Sequence, residues 1–390
     1  MIPASVLENK TILVTGSAGF LAKVFVEKVL RIQPDVKKLY LLMRAPDSHS
    51  AAKRLRDEVT EKELFRVVKE KWGPNFSKFV SEKVVAVAGD VSREDLGIED
   101  LDLKKEIWKE ADLVVNFAAT TRFDERAGHY GWPNTYTFTK AMGERIVMSL
   151  KGDLPLVILR PTIVTSTIKD PFPGWTEGVR TIDGFIVNYA KGIMKCLIER
   201  PETVYDLIPV DMVVNSIVGC ICSAFQNQPL DLIYHLGSSR NALTSSDLRH
   251  LMFIFFSRNP WKDRHGRPMK ANKWKTFSSF KTFQIYMTIR FLLPLKVLCL
   301  VNAALCHRFE AMCGELDRKL KVAMRLVKLY EPYLLFVGIF DDTNLEKLRA
   351  RGSQNGWWDA AEMNMNAGSI DWSDYIMNVH IPGLIRFVKF

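Results

Sequence analysis

Tyr136 and Lys140 stand four residues apart in the run Tyr136-Thr-Phe-Thr-Lys140. A helix would carry both side chains on one face. A lysine beside a tyrosine lowers the phenol pKa and can also hold a ribose hydroxyl. The phenol can then protonate an oxygen that gains charge as a hydride reaches the attached carbon. The same spacing also fits an ordinary pair on an exposed helix, so its weight depends on the elements around it.

A nucleotide-binding turn supplies that context. Thr11–Val14 is a short apolar run of the kind found in buried parallel strands. It breaks at Gly16 and enters an amphipathic stretch carrying Phe20, Val24, Phe25 and Val29. Glycine at such a break reaches positive φ and lets a phosphate approach the backbone. The helix behind it turns free N–H groups and a positive dipole end toward a pyrophosphate. The spacing is Gly16-x-x-Gly19-x-x-Ala22, with a small residue where helix and strand must pack closely. Thr15, Gly16, Ser17, Gly19, Phe20, Leu21 and Ala22 are therefore the candidate cofactor contacts; a purely structural turn is the alternative.

Further strands follow in the order that such a site needs. Lys38–Arg44 reads as the second strand and ends on Arg44, not on an acidic residue. An arginine there accommodates a 2′-phosphate, which favours NADPH over NADH, although a solvated arginine would look the same. Ala51–Trp72 reads as a charged helical insertion. Val84–Asp90 is the third strand, and Asp90 could accept from the adenine amino group or cap a turn. Leu113–Ala119 is the fourth, with Asn116 and Ala118 as candidate cofactor contacts at its end. Only sixteen residues, Thr120–Thr135, then precede Tyr136, too few for the helix, strand and turn that normally intervene. Leu154–Thr162 is the next strand. It leads to Pro171-Phe-Pro-Gly-Trp175, which could line an acyl channel or form a rigid turn. Val204–Val214 and Leu232–Gly237 complete the larger domain. The expected fold is a Rossmann-like, doubly wound parallel α/β sheet lacking one strand, with a smaller, mainly helical C-terminal domain.

The chain has 390 residues, 47% of them hydrophobic, and a formal net charge of +10. That length supports a sizeable core. The basic balance suits phosphate-bearing ligands or an anionic membrane and does not require nucleic acid. Six scattered cysteines (Cys196, Cys220, Cys222, Cys299, Cys306 and Cys313) show no metal-site spacing and read as reduced thiols in a cytosol-facing protein. Ten residues before the first strand leave no room for a signal or transit peptide. Arg258–Lys281 interleaves basic residues with Trp261, Trp274, Phe277 and Phe280. Phe283–Leu305 is apolar but interrupted by Arg290, Pro294 and Lys296. Charges so central suit an amphipathic helix lying in a membrane interface better than a spanning one; a helix packed on the larger domain is the alternative. The division is 1–257, a basic and apolar connecting segment 258–306, and a C-terminal domain 307–390.

Several stretches together resemble the plant alcohol-forming fatty acyl-CoA reductases, a branch of the extended short-chain dehydrogenase/reductase superfamily. They include N-K-T-I-L-V-T-G-S-A-G-F-L-A-K-V-F-V-E-K (9–28), K-K-L-Y-L-L-M-R-A (37–45), V-N-F-A-A-T-T-R-F-D-E-R (115–126) and G-W-P-N-T-Y-T-F-T-K-A-M-G-E (131–144). R-P-T-I-V-T-S-T (160–167), P-F-P-G-W-T-E-G-V-R-T-I-D (171–183), I-P-V-D-M-V-V-N (208–215), Y-E-P-Y (330–333) and D-W-S-D-Y-I-M-N-V-H-I-P-G-L (371–384) extend the likeness over nearly the whole chain.

The resemblance implies reduction of a long-chain fatty acyl-CoA, in two NADPH-dependent steps through a bound aldehyde, to a primary alcohol that feeds waxes, suberin or pollen-wall lipids. It implies Tyr136 as proton donor with Lys140 as partner, pyrophosphate contacts from Gly16, Gly19 and Ala22, and a 2′-phosphate contact from Arg44. An endoplasmic-reticulum membrane surface and a homo-oligomer are compatible with it. The chain departs from the family between Arg126 and Gly131, where members carry a further helix, the fifth strand and a Ser/Thr hydroxyl for the substrate carbonyl. Thr120, Thr121 or Thr165 could stand in for that hydroxyl. A family member or splice product that binds nucleotide without turnover is the second reading. A different short-chain-reductase chemistry, such as sugar epimerisation or flavonoid reduction, is the third, and the basic aromatic segment and C-terminal domain argue against it.

Overall fold

The computed structural model describes residues 2–119, 132, 135–194, 196–262, 265–304, 309–359 and 362–388. After a short helix α1 (Ile2–Leu7), strand β1 (Thr11–Thr15) is buried along its whole length. β-Branched and leucine residues without alternation are what a strand covered on both faces requires. Helix α2 (Phe20–Ile32) returns the chain to β2 (Lys38–Met43). The charged insertion is helical, as its composition indicated: α3 (Ser48–Leu55), α4 (Arg66–Trp72) and α5 (Phe76–Lys83). β3 (Val84–Ala88), α6 (Leu101–Glu110) and β4 (Leu113–Asn116) complete the first half.

The four strands form one parallel sheet in the order β3-β2-β1-β4, with Val14 paired to Leu41 on one side and to Val115 on the other. Strand alternation divides the core. Ile12, Val14, Leu39 and Leu41 face the cluster that contains α2, while Leu13, Tyr40 and Leu42 face Ile107 of α6. Helices thus cover both faces, which defines a doubly wound sheet.

The second half is assembled from strand pairs. Helix α7 (Thr135–Leu150) precedes β5 (Ile158–Pro161) and β6 (Ile163–Thr165). Then come α8 (Thr181–Ala190), β7 (Cys196–Ile198), β8 (Leu207–Pro209), α9 (Val210–Phe225), β9 (Ile233–Leu236), α10 (Ser245–Arg258) and β10 (Lys275–Phe277). β5 pairs with β9, β6 with β8 and β7 with β10, all in parallel. The single strand expected over Leu154–Thr162 is shorter than its apolar run. Thr162 ends it, turning its hydroxyl to Asp206 at 3.1 Å, and Ile163 begins a strand in another sheet.

Among the described residues β4 pairs only with β1, which leaves a gap between the two half-sheets. Val114, on β4, is 59% exposed in consequence. Most of the short Thr120–Thr135 link, where a strand is expected to be lacking, lies outside the described residues.

The C-terminal part is helical: α11 (Phe280–Met287), α12 (Leu293–Ala304), α13 (Glu310–Leu334), α14 (Thr343–Gln354), α15 (Trp372–Asp374) and α16 (Ile381–Phe387). Trp357, Trp358, Trp372, Tyr375 and Ile376 share one core with Val210, Val214 and Val218 of α9. The closest approach is glycine on glycine. Gly174, at φ +82°, abuts Gly383 of α16, and a Cβ on either would strike the other's backbone.

A buried polar clasp reinforces that seam. The Tyr375 hydroxyl donates to the Ser166 carbonyl at 2.8 Å and lies 2.8 Å from the Thr165 hydroxyl. His380 stands between the Ser166 hydroxyl (2.9 Å) and the Asp183 carboxylate (3.1 Å).

Candidate functional site

The phosphate turn follows β1. Gly16 has φ +67°, and a Cβ there would lie 2.6 Å from the Ala118 amide nitrogen, which is no distance for a carbon. Only glycine fits, because the turn is pressed against the end of β4. The Gly19 amide donates to the Gly16 carbonyl at 2.8 Å and closes the loop. Gly19 then caps α2 without a side-chain hydrogen bond. The N–H groups of Phe20, Leu21 and Ala22 are therefore the open first-turn donors of a thirteen-residue helix.

Three expected contacts turn inward through their side chains. Ser17 donates to the Val14 carbonyl at 2.8 Å. Thr15 donates to Asn116 Oδ1 at 2.5 Å, and the same oxygen accepts from the Ala118 amide at 3.0 Å. Ser17, Thr15 and Asn116 thus shape the turn with their side chains, leaving ligand contact to backbone groups. Ala22 is wholly buried, as close helix–strand packing demands.

Arg44 stands just past β2 with its side chain 77% exposed, and its Nε lies 3.3 Å from Asp90 Oδ2. Asp90 accepts from both the amide (2.9 Å) and the hydroxyl (2.8 Å) of Ser92, and these bonds hold its carboxyl below the usual range. Of the two roles open to Asp90, the structure realises the turn cap.

Tyr136 and Lys140 both lie on α7, and the helix reaches the nucleotide turn. Lys140 Nζ is 3.4 Å from the Ala118 carbonyl at the end of β4, on the residue that confines Gly16. The expected lowering of the phenol pKa is not realised. Burial raises the Tyr136 pKa, and burial lowers that of Lys140 against the opposing pull of Glu144. Desolvation disfavours the charged form of each group. A phenol so placed stays protonated, which is the state a proton donor needs.

Glu144, one turn beyond Lys140, fastens α7 to the second half. It accepts two hydrogen bonds from Arg160 on β5, at 3.0 and 2.5 Å. Arg160 also lies 3.3 Å from His235 Nε2 on β9, while His235 Nδ1 donates to the Asp341 carbonyl at 3.0 Å. The carbonyl fixes the proton on Nδ1 and leaves Nε2 to accept from Arg160. α7 therefore bridges the gap between the two half-sheets.

Thr165 cannot replace the missing hydroxyl. It is buried, donates to the Ile208 carbonyl at 3.2 Å and meets Tyr375, so it belongs to the interdomain clasp. Thr120 and Thr121 lie outside the described residues.

The Pro171–Trp175 segment takes the rigid-turn alternative. Phe172 and Trp175 are buried, and Trp175 stacks on Phe20 with centroids 5.2 Å apart. The backbone leading into it is held by Asp211, whose carboxylate accepts from the amides of Ile168, Lys169 and Asp170 at 2.8–2.9 Å. Lys23 to Glu177 and Lys28 to Asp170, both 2.6 Å, tie the segment to α2.

The same segment delivers a residue that sequence reasoning missed. The Arg180 guanidinium lies 4.0 Å over the Phe20 ring, at the mouth of α2. Among the described residues no carboxylate forms an ion pair with it. Burial lowers its pKa while Asp183 and Glu177 act in the opposite sense. No local pattern flags Arg180, because its place depends on a loop folding back across 160 residues of chain. These features fit a dinucleotide: a turn that a Cβ would fill, an open helix N-terminus, and cations at both ends of it.

Comparison with known proteins agrees. A family model described as male sterility protein, of NAD-binding type, matches residues 14–130 and 124–217, and a second model of the same description matches 290–389. The two pieces of the first meet at 124–130, where the chain is shortened. The chain is 41% identical to the alcohol-forming fatty acyl-CoA reductase of Simmondsia chinensis, over 98% of both chains. It is 39% identical to fatty acyl-CoA reductase 1 of Arabidopsis thaliana, again over 98% of both. The first alignment runs to 482 positions against 390 residues here, and the excess belongs to the relative.

Among solved structures, the reductase domain of a non-ribosomal peptide synthetase from Mycobacterium tuberculosis superposes with a TM-score of 0.59 at 16% identity, covering 98% of this chain and 95% of that one. The terminal R domain of the myxalamid pathway gives 0.54 at 16% identity, over 90% and 93%. At that identity they establish the fold. The relatives settle the family: this chain is a member of the fatty acyl-CoA reductases, with an internal shortening ahead of its Tyr-Lys helix.

Proposed function

We propose that the chain reduces long-chain fatty acyl-CoA to a primary fatty alcohol through a bound aldehyde, consuming two NADPH and two protons and releasing CoA. The observation that carries this reading is the Lys140 ammonium at the Ala118 carbonyl, which puts the Tyr-Lys helix beside the phosphate turn despite the shortened link. Backbone N–H groups at the start of α2, with Arg180 above them, hold the diphosphate. Arg44 reaches the 2′-phosphate, and this supports NADPH over NADH. When bound, the reduced nicotinamide supplies the hydride. Tyr136 donates its proton to the carbonyl oxygen as charge develops there, and Lys140 stabilises the phenolate left behind. Free thiols at Cys196, Cys220, Cys222, Cys299 and Cys313 support a reducing, cytosol-facing compartment.

A second reading, nucleotide binding without turnover, draws on the open β4 edge and on the engagement of Thr165 elsewhere. Product analysis with purified protein, NADPH and acyl-CoAs of several chain lengths decides between the two. Alcohol from the wild type, reduced at least ~100-fold in Tyr136→Phe, is the expected result. NADPH binding without aldehyde or alcohol establishes the second reading.

A further inference from the structure

The stretch from Arg264 to Phe309 contains no aspartate or glutamate, yet it carries Lys270, Lys273, Lys275, Lys281, Arg290 and Lys296. Its helical part is a rod, α11 and α12 joined by a π-helical turn, Thr288–Leu292. The 25 residues Phe280–Ala304 have a window of mean hydropathy 1.6 of which only 11% is buried. A helix packed on the larger domain, one of the two expectations for this stretch, would bury far more.

The exposed apolar residues form one face, and the π turn is the reason. Ile285, Ile289, Leu293, Val297, Leu300 and Val301 are each 49–72% exposed. Steps of four residues drift by about 40° each on an α-helix, so a regular helix would carry this row well round its axis. A π turn accommodates about one extra residue and turns the second half back. The burial pattern records the same phasing on the opposite side. Phe283, Met287, Leu295 and Asn302 are buried, and the π turn narrows the offset of about 80° that a regular helix would leave between Met287 and Leu295.

The rear face is committed to the protein. Phe283 and Met287 pack with Ile198 of β7 and with Leu320, Met324 and Val327 of α13, and Asn302 Oδ1 accepts from the Phe309 amide at 2.6 Å. A rod fastened along one side cannot stand across a bilayer, and charges at Arg290 and Lys296 oppose spanning as well. A second copy would bring two acid-free basic segments together. An anionic surface complements them. Long basic side chains beside an apolar stripe can lie along it and keep their heads among phosphates.

We propose that the face bearing Ile285, Ile289, Leu293, Val297, Leu300 and Val301 lies flat in the surface of an anionic lipid bilayer. The proposal is independent of turnover, since it concerns a surface remote in sequence from the Tyr-Lys helix.

The test is sedimentation of the full chain with phosphatidylcholine vesicles, with and without phosphatidylserine. Binding is expected to strengthen at least ~10-fold with phosphatidylserine, and to fall by a similar factor in Lys270→Glu/Lys273→Glu/Lys275→Glu. Ile285→Asp and Val297→Asp, at exposed positions on opposite sides of the π turn, should each weaken it about equally, because both occupy one face. A Leu293→Trp variant should be quenched more by bromine near the headgroups than by bromine at the bilayer centre. Unchanged NADPH affinity in every variant verifies folding. Equal binding to both vesicles, indifference to Ile285→Asp or Val297→Asp, or stronger quenching at the centre overturns the proposal. So does a dimer in light scattering that Val297→Asp dissolves, since it would assign the face to a second copy.

Discussion

The two halves of the sheet differ in how far apart their parts lie in the chain. The nucleotide half uses neighbours: β1, its turn and α2 are contiguous, and β2, β3 and β4 add strands to an edge already formed. The reducing half needs α7, β5, β9 and β8 to converge from more than a hundred residues, across the gap beside β4. The cost shows in exposure. β1 is buried throughout, whereas β4 exposes Val114 and α7 exposes Met142, Ile146 and Leu150. Burying one such side chain contributes about 1.5–3 kcal/mol. Strand β1 is therefore held by packing on both faces, whereas α7 is tied to β5 by polar fasteners that can be cut singly.

The largest effect should come from filling the phosphate turn. Gly16→Val places a β-branched residue at φ +67° with its Cβ against Ala118. NADPH affinity measured by calorimetry should fall by at least ~100-fold, about 3 kcal/mol. Gly152 provides the control in the other half. It shares the left-handed conformation, at φ +53°, but has nothing within 4 Å of an added Cβ. Gly152→Val should cost about 1–2 kcal/mol of stability from strain alone, with NADPH binding unchanged. Equal losses of affinity in the two variants would show that backbone strain, and not the Ala118 contact, matters at Gly16.

Cutting the bridge should come next. Arg160→Met removes both hydrogen bonds to Glu144 and frees α7 from β5. Turnover number should drop by about 10–100-fold while NADPH affinity stays within about twofold, because only the positioning of Tyr136 is lost. Amide exchange along α7 should quicken in parallel, a readout that holds even without turnover. The paired exchange Glu144→Arg with Arg160→Glu should restore much of both. Failure of that rescue, with the single variant impaired, would make Arg160 a packing residue only.

What the sequence revealed follows the same division. The strand–turn–helix from Thr11 to Ala22 could be read directly because its geometry depends on local constraints: a left-handed glycine, an open helix end and a small residue against a strand. The internal shortening was legible too, as an unusually short spacing between Leu113–Ala119 and Tyr136. Side-chain direction was not. Ser17, Thr15 and Asn116 turn inward because nearby carbonyl and amide groups needed partners, and no pattern of residue types reveals that. The phenol pKa moved opposite to expectation because burial raises it. Arg180 and the Glu144–Arg160 bridge were invisible because each contact joins segments placed together only by the finished fold.

The smallest effect separates two cations proposed for one ligand, from opposite halves. Arg180 lies over Phe20 at the mouth of α2, where the diphosphate common to both nicotinamide dinucleotides would sit. Arg44 stands past β2, where only the 2′-phosphate would reach it. Arg180→Met keeps an apolar chain over the Phe20 ring and removes the charge. It should weaken NADPH and NADH alike, by about tenfold or 1.4 kcal/mol. Arg44→Ala should weaken NADPH by a similar factor and leave NADH within about twofold, since the group it recognises is absent there. Competition titrations with the two dinucleotides on both variants give four affinities, and the pattern matters more than any single value. Loss confined to NADPH in Arg180→Met would move that residue to the 2′-phosphate. Indifference of both dinucleotides would leave Arg180 as the lid of an aromatic stack whose charge faces solvent.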